Sequence, residues 1–163
     1  MLKRHTGLEK AVAGLARRWH GVEPKLEQHI TELDTQNADG TTRRAVLDVV
    51  VPCIGGRQLI DVTVRQGDAG TPAAVRAAAA KDGLPSTRAE QEKHARYPAP
   101  GLVAFVVEGC GRLGGEARSW LRIGASMQPA DLQVRELTRA HRVISAVVQG
   151  QTARALRVSA GLS

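Results

Sequence analysis

The 163-residue sequence predicts an α/β domain with one mixed central sheet, flanking helices and a C-terminal helical extension. Apolar residues recur at helical spacing near the N-terminus, and two β-branched runs flank a short turn. A third run, residues 102–108, is almost wholly apolar. We expect residues 1–126 to form the core, and residues 127–163 to form the helical extension of the same domain.

The N-terminal third predicts a helix followed by a strand. Residues 6–9 have the pattern of a capping box, and a helix is expected over about 7–19. Its apolar face would consist of Leu8, Val12, Leu15 and Trp19. A weaker strand pattern covers 22–30, and the polar segment 31–44 contains a turn at 37–40.

The two β-branched runs, Ala45 to Val51 and Gln58 to Arg65, predict an antiparallel hairpin because the segment between them is too short for a crossover. Each run contains one aspartate, Asp48 and Asp61. If the turn consists of residues 54–55, the two aspartates are directly opposed. If it consists of residues 55–56, they are one diagonal step apart, and both turns leave them on one face.

The second half predicts further helices and one more strand. Helices are expected over 72–81, over 87–97 after a second capping box, and over about 115–125. From residue 129 onward the pattern fits one long amphipathic helix, or two helices in series with a break at Gly150. The apolar run Leu102 to Glu108 is typical of a central strand that is buried on both faces.

The composition favours a polyanionic partner. The net charge is +7, and 18 of the 23 basic residues are arginine, whose guanidinium matches phosphate geometry. A merely solvated basic surface is the alternative. No segment has the roughly 18 consecutive apolar residues of a membrane span, and no signal-peptide pattern is present, so we expect a nuclear or cytoplasmic protein without membrane contact.

Several other patterns carry less weight. Cys53 and Cys110 are isolated, which argues against a zinc site or disulfide framework and favours buried free thiols. The five histidines are scattered without metal-ligand spacing, and they are expected at the surface or at helix caps. Residues 109–114 formally match a dinucleotide-binding motif, but a glycine-rich turn explains them better, so no organic cofactor is expected.

The acidic hairpin is the main candidate site. A carboxylate within a β-branched strand is costly unless its face is solvated or it binds a cation. Two such carboxylates close together, Asp48 and Asp61, would repel each other and favour a divalent ion. The alternative is a hairpin whose polar face points to solvent, with Thr63 and Arg65 reducing the repulsion.

The order of these features resembles the restriction-endonuclease-like domain of site-specific non-LTR retrotransposons, a branch of the PD-(D/E)XK nuclease superfamily. The resemblance covers roughly residues 5–125 and depends on order and spacing. Its matching segments are Arg44-Ala-Val-Leu-Asp48, Leu59-Ile-Asp61-Val-Thr-Val and Lys93-His-Ala-Arg-Tyr97, followed by the segments 101–108 and 111–117.

The resemblance implies a Mg²⁺-dependent (or Mn²⁺-dependent) DNA endonuclease. Asp48 and Asp61 would bind the metal together with a backbone carbonyl beside Asp61, and Lys93 would supply the catalytic lysine from the following helix. Tyr97, one helical turn later, would lie on the same face. For Lys93 the alternative is an exposed residue on a basic face, and for Tyr97 it is packing at a helix C-terminus.

The resemblance also suggests additional residues and partners. Glu23 or Glu108 would be a supplementary acid of the metal site. DNA phosphates would contact Arg43, Arg44, Arg96, Arg135, Arg139 and Arg142. A homodimer and a former fusion to a reverse transcriptase are both compatible with the resemblance. The rival hypothesis is a catalytically inactive, basic nucleic-acid-binding module derived from such an element.

Overall fold

In the computed structural model, which describes residues 2–65 and 83–159, a mixed four-stranded sheet is flanked by helices. This confirms the predicted α/β class. The elements are α1 (Leu2–His20), β1 (Lys25–His29), β2 (Thr35–Gln36), β3 (Thr42–Arg43), β4 (Val46–Cys53), β5 (Gly56–Arg65), α2 (Leu84–Arg96), β6 (Leu102–Glu108), α3 (Gly115–Ser126) and α4 (Gln133–Ser159). The helix predicted over 72–81 lies outside the described residues.

The main sheet has the strand order β1-β4-β5-β6, while β2 and β3 form a separate two-stranded ribbon. Strands β1, β4 and β5 are antiparallel neighbours, and β6 runs parallel to β5. Cys53 pairs with Gly56, so residues 54–55 form the turn of the predicted hairpin. Gly55 has a φ of 82°, which glycine adopts without steric cost. This register is the one that opposes the two aspartates.

Strand β6 is buried, as predicted, but it is an edge strand of the sheet and not a central one. Its outer edge is covered by the segment that leads into α3. Gly114 donates its backbone N–H to the carbonyl of Val106 at 2.9 Å, and the N–H of Ala104 donates to Oε2 of Glu116 at 2.9 Å. Because these contacts satisfy the edge, a wholly apolar strand can lie there.

Both predicted capping boxes are wrong, because each helix begins earlier than its box. Helix α1 begins at Leu2, so Thr6 lies inside it. Helix α2 begins at Leu84, and the Thr87 hydroxyl donates to the carbonyl of Gly83. The end of α2 before Tyr97 and the bounds of α3 agree with the predictions, and α4 continues through Gly150 without a break.

The two faces of the sheet pack against different helices. Phe105 and Val107 of β6 belong to the main core cluster, to which α1, α3 and α4 contribute. Ala104 and Val106 point to the opposite face and pack with Ala89 of α2. Since the buried residues of α4 belong to the same core cluster as those of α1, the C-terminal helix is continuous with the α/β core.

Two further observations concern the surface. Cys53 and Cys110 are free but exposed, so the expectation that they are buried was wrong. Among the described residues, no helix combines the length and the apolar character needed to cross a membrane.

Candidate active site

The base of the β4–β5 hairpin brings the two aspartates together. The last paired residues before them are Val49 and Ile60, so Asp48 and Asp61 face each other at the next position. Beyond that pair, the Val62 N–H donates to Oδ2 of Asp48 at 2.6 Å. The Asp48 carboxylate thus replaces a backbone acceptor of the sheet. Only 12% of the Asp48 side chain and 7% of the Asp61 side chain are exposed.

Helix α2 supplies the cation beside Asp61. Lys93 lies in the last turn of α2, and its Nζ is 2.8 Å from Oδ2 and 2.9 Å from Oδ1 of Asp61. The structure therefore brings together Asp48, Asp61 and Lys93, as the resemblance implies. Lys93 is 17% exposed and paired, so it is not a solvated residue of a basic face.

Burial dominates the electrostatics of Asp61. Burial raises the pKa of this carboxyl to about 6, the Lys93 ammonium opposes that rise, and the adjacent Asp48 carboxylate adds to it. Asp61 is therefore an acid whose charge depends on a neighbouring cation.

His5 is a site residue that the sequence did not reveal. Its Nε2 lies 3.2 Å from Oδ2 of Asp48 and 3.0 Å from the carbonyl oxygen of Val62, so the protonated nitrogen donates to both acceptors. The hydrogen bond that His5 donates to Asp48 is the main reason that the pKa of His5 rises to about 9, although burial opposes the rise. His5 was expected at the surface or at a cap; about 40% of its side chain is exposed, and it also contacts Asp48.

Two more carboxylates extend the acidic region. Glu9 is 2% exposed, and its pKa is raised by burial and by the charges of Asp48 and Glu27. Glu27 lies opposite Asp48 on β1, because its neighbours Leu26 and Gln28 pair with residues 49 and 47. Its φ of 47° is the only positive value among the described non-glycine residues. Antiparallel pairing of the weakly predicted strand at 22–30 with β4, in this register, is the signal that places Glu27 beside Asp48.

Tyr97 packs as a core residue near the site. It is 4% exposed and clusters with apolar residues that include Leu59 and Leu102. Burial raises the pKa of its hydroxyl; the charges of Asp61 and Asp48 reinforce the rise, whereas those of Arg96 and Arg43 oppose it. The ring therefore lies within electrostatic range of both acids and of two arginines, and the Arg96 Cζ is 4.7 Å from its centroid.

Glu23 and Glu108, the two suggested supplementary acids, lie away from the aspartate pair. Glu23 is exposed and forms an ion pair with Arg17 at 3.3 Å. Glu108 is buried and accepts from the Ser86 hydroxyl at 3.1 Å. Since Ala104 is the β6 residue that pairs with Asp61, Glu108 lies four residues farther along the strand, about 13 Å away. The acid that the first helix contributes beside Asp48 is Glu9.

The predicted phosphate-contacting arginines divide into two groups. Arg43 and Arg96 lie within electrostatic range of Tyr97, and Arg44 donates to Nδ1 of His29 at 2.9 Å. A second group lies on the outer side of α4, opposite its buried residues, and lines a shallow depression: Arg135, Arg139 and Arg142. No contact among the described residues joins this second group to the aspartates.

The donor set suits a magnesium or manganese ion whose shell is completed by other oxygens. Within residues 2–65 and 83–159, no three His, Cys, Asp or Glu side chains are arranged as one metal-ligand group. The Asp48 carboxylate and the Val62 carbonyl both lie within hydrogen-bond distance of His5, and Asp61 faces Asp48 across the hairpin. Mg²⁺ is commonly held by one or two carboxylates together with water and substrate phosphate oxygens, so these residues fit it.

Comparisons with protein-family models, with curated proteins and with solved structures gave no match for this chain. The functional interpretation depends on the geometry of the site.

Proposed function

We propose that this protein is a metal-dependent DNA endonuclease with a restriction-endonuclease-like fold. One observation carries the proposal. Asp48, Asp61 and Lys93 come from two strands and a helix and meet in a mostly buried site. Two carboxylates and an ammonium are the groups that metal-assisted phosphodiester hydrolysis requires. A fold built only for stability has no need of two buried carboxylates face to face.

Each residue has a distinct part in this proposal. Asp48, Asp61 and the Val62 carbonyl would hold Mg²⁺ or Mn²⁺, with Glu9 as the nearby supplementary acid. The bound ion would supply a Lewis acid for the phosphate and lower the pKa of water. Lys93 would place its ammonium against the scissile phosphate or orient the attacking water. Tyr97 would support the site by packing beneath it.

DNA is the proposed substrate because the chain is strongly basic. The net charge is +7, and Arg43 and Arg96 lie within electrostatic range of Tyr97, as the two acids do. Two copies of the chain would allow one cut in each strand. A DNA substrate agrees with a nuclear or cytoplasmic location.

The rival function is DNA binding without cleavage, and one observation favours it. Lys93 and His5 contact Asp61 and Asp48, so neither carboxylate needs a metal as its partner. A binding module would need only the arginine surface.

A plasmid-nicking assay separates the two functions. Purified protein would be incubated with supercoiled DNA and Mg²⁺, beside Asp61→Asn and the exposed control Asp131→Asn. We expect nicking by the parent and by Asp131→Asn, and its loss in Asp61→Asn and in EDTA. Asparagine keeps an oxygen for Lys93, and circular dichroism would verify folding. DNA retention without nicking, equal in all three proteins, would reject the nuclease and support the binding module.

A further inference from the structure

The His5 imidazole lies among oxygen atoms from three elements. Its Nε2 is 3.2 Å from the Asp48 carboxylate on β4 and 3.0 Å from the Val62 carbonyl on β5. Its Nδ1 is 4.0 Å from the carboxylate of Glu9, one turn farther along α1. The ring therefore lies among one backbone carbonyl and two carboxylates.

Two of these oxygens are the ones proposed to bind the metal. A magnesium ion needs its ligands at about 2.0–2.1 Å in near-octahedral geometry. An Nε2 atom at 3.0 to 3.2 Å from both oxygens occupies the space in which such an ion would lie. The imidazole and the ion cannot be in that space together.

We infer that His5 is a resident substitute for the metal ion: its side chain occupies the cation position in the metal-free protein, and a divalent ion binds only by displacing it. This inference rests on the proposed function, because it concerns the same metal site. It goes further by assigning to His5 control over metal affinity, and by making metal binding an exchange of the imidazole for the ion.

The surroundings of His5 allow this exchange. About 40% of its side chain is exposed, so the ring can rotate outward into solvent. Leu8 and Val12, the next residues on the inner face of α1, are fully buried and hold the helix on the core. The displacement therefore requires a rotamer change at one residue and leaves the helix in place. Lys93 contacts Asp61 on the other side of the pair and is not among the groups that His5 contacts.

The same arrangement would allow the hairpin to fold without metal. Asp48 and Asp61 face each other, and their repulsion would oppose pairing of β4 and β5 if neither were compensated. His5 contacts the first and Lys93 the second. An ion that displaces His5 must replace its hydrogen bonds, so the observed affinity for the ion is lower than the oxygen ligands alone would give.

Direct measurement of metal binding tests the inference. Isothermal titration of Mn²⁺ into the full-length protein, without DNA and in one fixed buffer, would compare the parent with His5→Ala and His5→Gln. His20→Ala is the matched control, because it removes the same side chain from the other end of α1. We expect His5→Ala to bind Mn²⁺ about tenfold more tightly or better, as expected when hydrogen bonds to charged groups no longer compete. His20→Ala should match the parent.

His5→Gln keeps a hydrogen-bond donor but removes the imidazole ring, so its affinity should fall between those of the parent and His5→Ala. It also carries the test if His5→Ala fails to fold. Equal affinity in the parent and the His5 variants would overturn the inference. Weaker binding by the His5 variants would also overturn it and identify His5 as a metal ligand.

The two proposals fail in different ways. Tighter Mn²⁺ binding by the His5 variants without any plasmid nicking would uphold the displacement and reject the nuclease. Mn²⁺ binding by neither the parent nor the variants would reject the displacement, and plasmid nicking would then decide the nuclease by itself. Nicking by a parent whose Mn²⁺ affinity is unaffected by His5 would uphold the nuclease alone.

Discussion

The Lys93–Asp61 pair shows how one side chain can join two parts of the fold. The residues are 32 positions apart, and their contact fastens the C-terminal turn of α2 to the inner strand β5. Asp61 is buried beside another carboxylate, so it depends on Lys93 more than a surface acid would. The proposed chemistry and the local stability both depend on this contact.

Replacement of Lys93 by methionine should destabilise the protein by about 3 kcal/mol, which is the lower end of the range for a broken buried pair, because part of the lysine is exposed. Urea unfolding would measure the loss, with the exposed Lys25→Met as control. The Lys93→Met/Asp61→Asn double variant should recover part of it. Strictly additive effects of the two substitutions would show that the contact is not formed.

The His5–Asp48 contact should make stability depend on pH. In the folded state the Asp48 hydrogen bond raises the His5 pKa to about 9, whereas an unfolded histidine titrates near 6.5. The folded protein therefore binds this proton more tightly, so the stabilisation is fully present below pH 6.5 and is lost as the pH rises toward about 9.

Urea unfolding at pH 6 and pH 9.5, with a chelator present, would check this. The parent should exceed His5→Gln in stability at the lower pH, and the difference should shrink at the higher pH. His20→Gln should follow the parent at both. A difference that is constant across the two pH values would contradict the assigned contact.

At the scale of elements, aromatic packing fastens α1 to α3. The rings of Trp19 and Trp120 are 5.1 Å apart, and Phe105 of β6 meets Trp120 edge to face at 5.6 Å. Close approach of the two helices depends on Gly124, since a Cβ there would lie 2.0 Å from the Trp19 ring. The chain has only four aromatic residues, and three of them meet here. The contact between Trp19, Trp120 and Phe105 is therefore the centre of the core.

Gly124→Ala should therefore destabilise the protein by about 1–3 kcal/mol, the usual cost of overpacking a core. Gly14→Ala is the matched control within α1, because a Cβ there meets no described atom within 4 Å. That substitution should raise stability by about 0.5–1 kcal/mol, since alanine restricts the unfolded chain and favours the helix. Thermal unfolding of both variants and of the parent would measure these changes in stability. An unchanged melting temperature in Gly124→Ala would mean that α1 and α3 are farther apart than described.

At the scale of the whole molecule, positive charge is distributed over two surfaces. Arg43 and Arg96 lie within electrostatic range of Tyr97, whereas the outer arginines of α4 lie on a separate helix. Other arginines are locally compensated: Arg57 pairs with Glu32, and Arg65 pairs with Glu92. DNA that contacts the α4 group would release counterions from its phosphates.

The triple variant with glutamine at 135, 139 and 142 should bind DNA less tightly and with a weaker salt dependence. Each lost phosphate contact should lower the slope of log affinity against log salt by about 0.9. Fluorescence anisotropy over a series of salt concentrations would measure it. The double variant of Arg57 and Arg65 is the control and should change the slope little, because those charges already have acidic partners. An unchanged slope in the triple variant would remove α4 from the DNA-binding surface.

Local patterns in the sequence determined much of the fold. Alternating and β-branched runs specified the hairpin, and a turn of either length kept Asp48 and Asp61 on one face. Proline and glycine positions gave the end of α2 and the bounds of α3 to within a residue. These features depend on neighbours close in sequence, so periodicity and turn chemistry are sufficient to predict them.

Only the tertiary structure decided the rest. The capping boxes failed because helix starts were set by packing beyond the local pattern, and β6 became an edge strand because the segment before α3 covers it. His5 reaches Asp48 across 43 residues, and Glu9 and Glu27 approach the pair through α1 and β1. No local pattern encodes such approaches, since they follow from how the helices and strands pack. The sequence thus identified the acidic pair, and packing supplied the cations and acids around it.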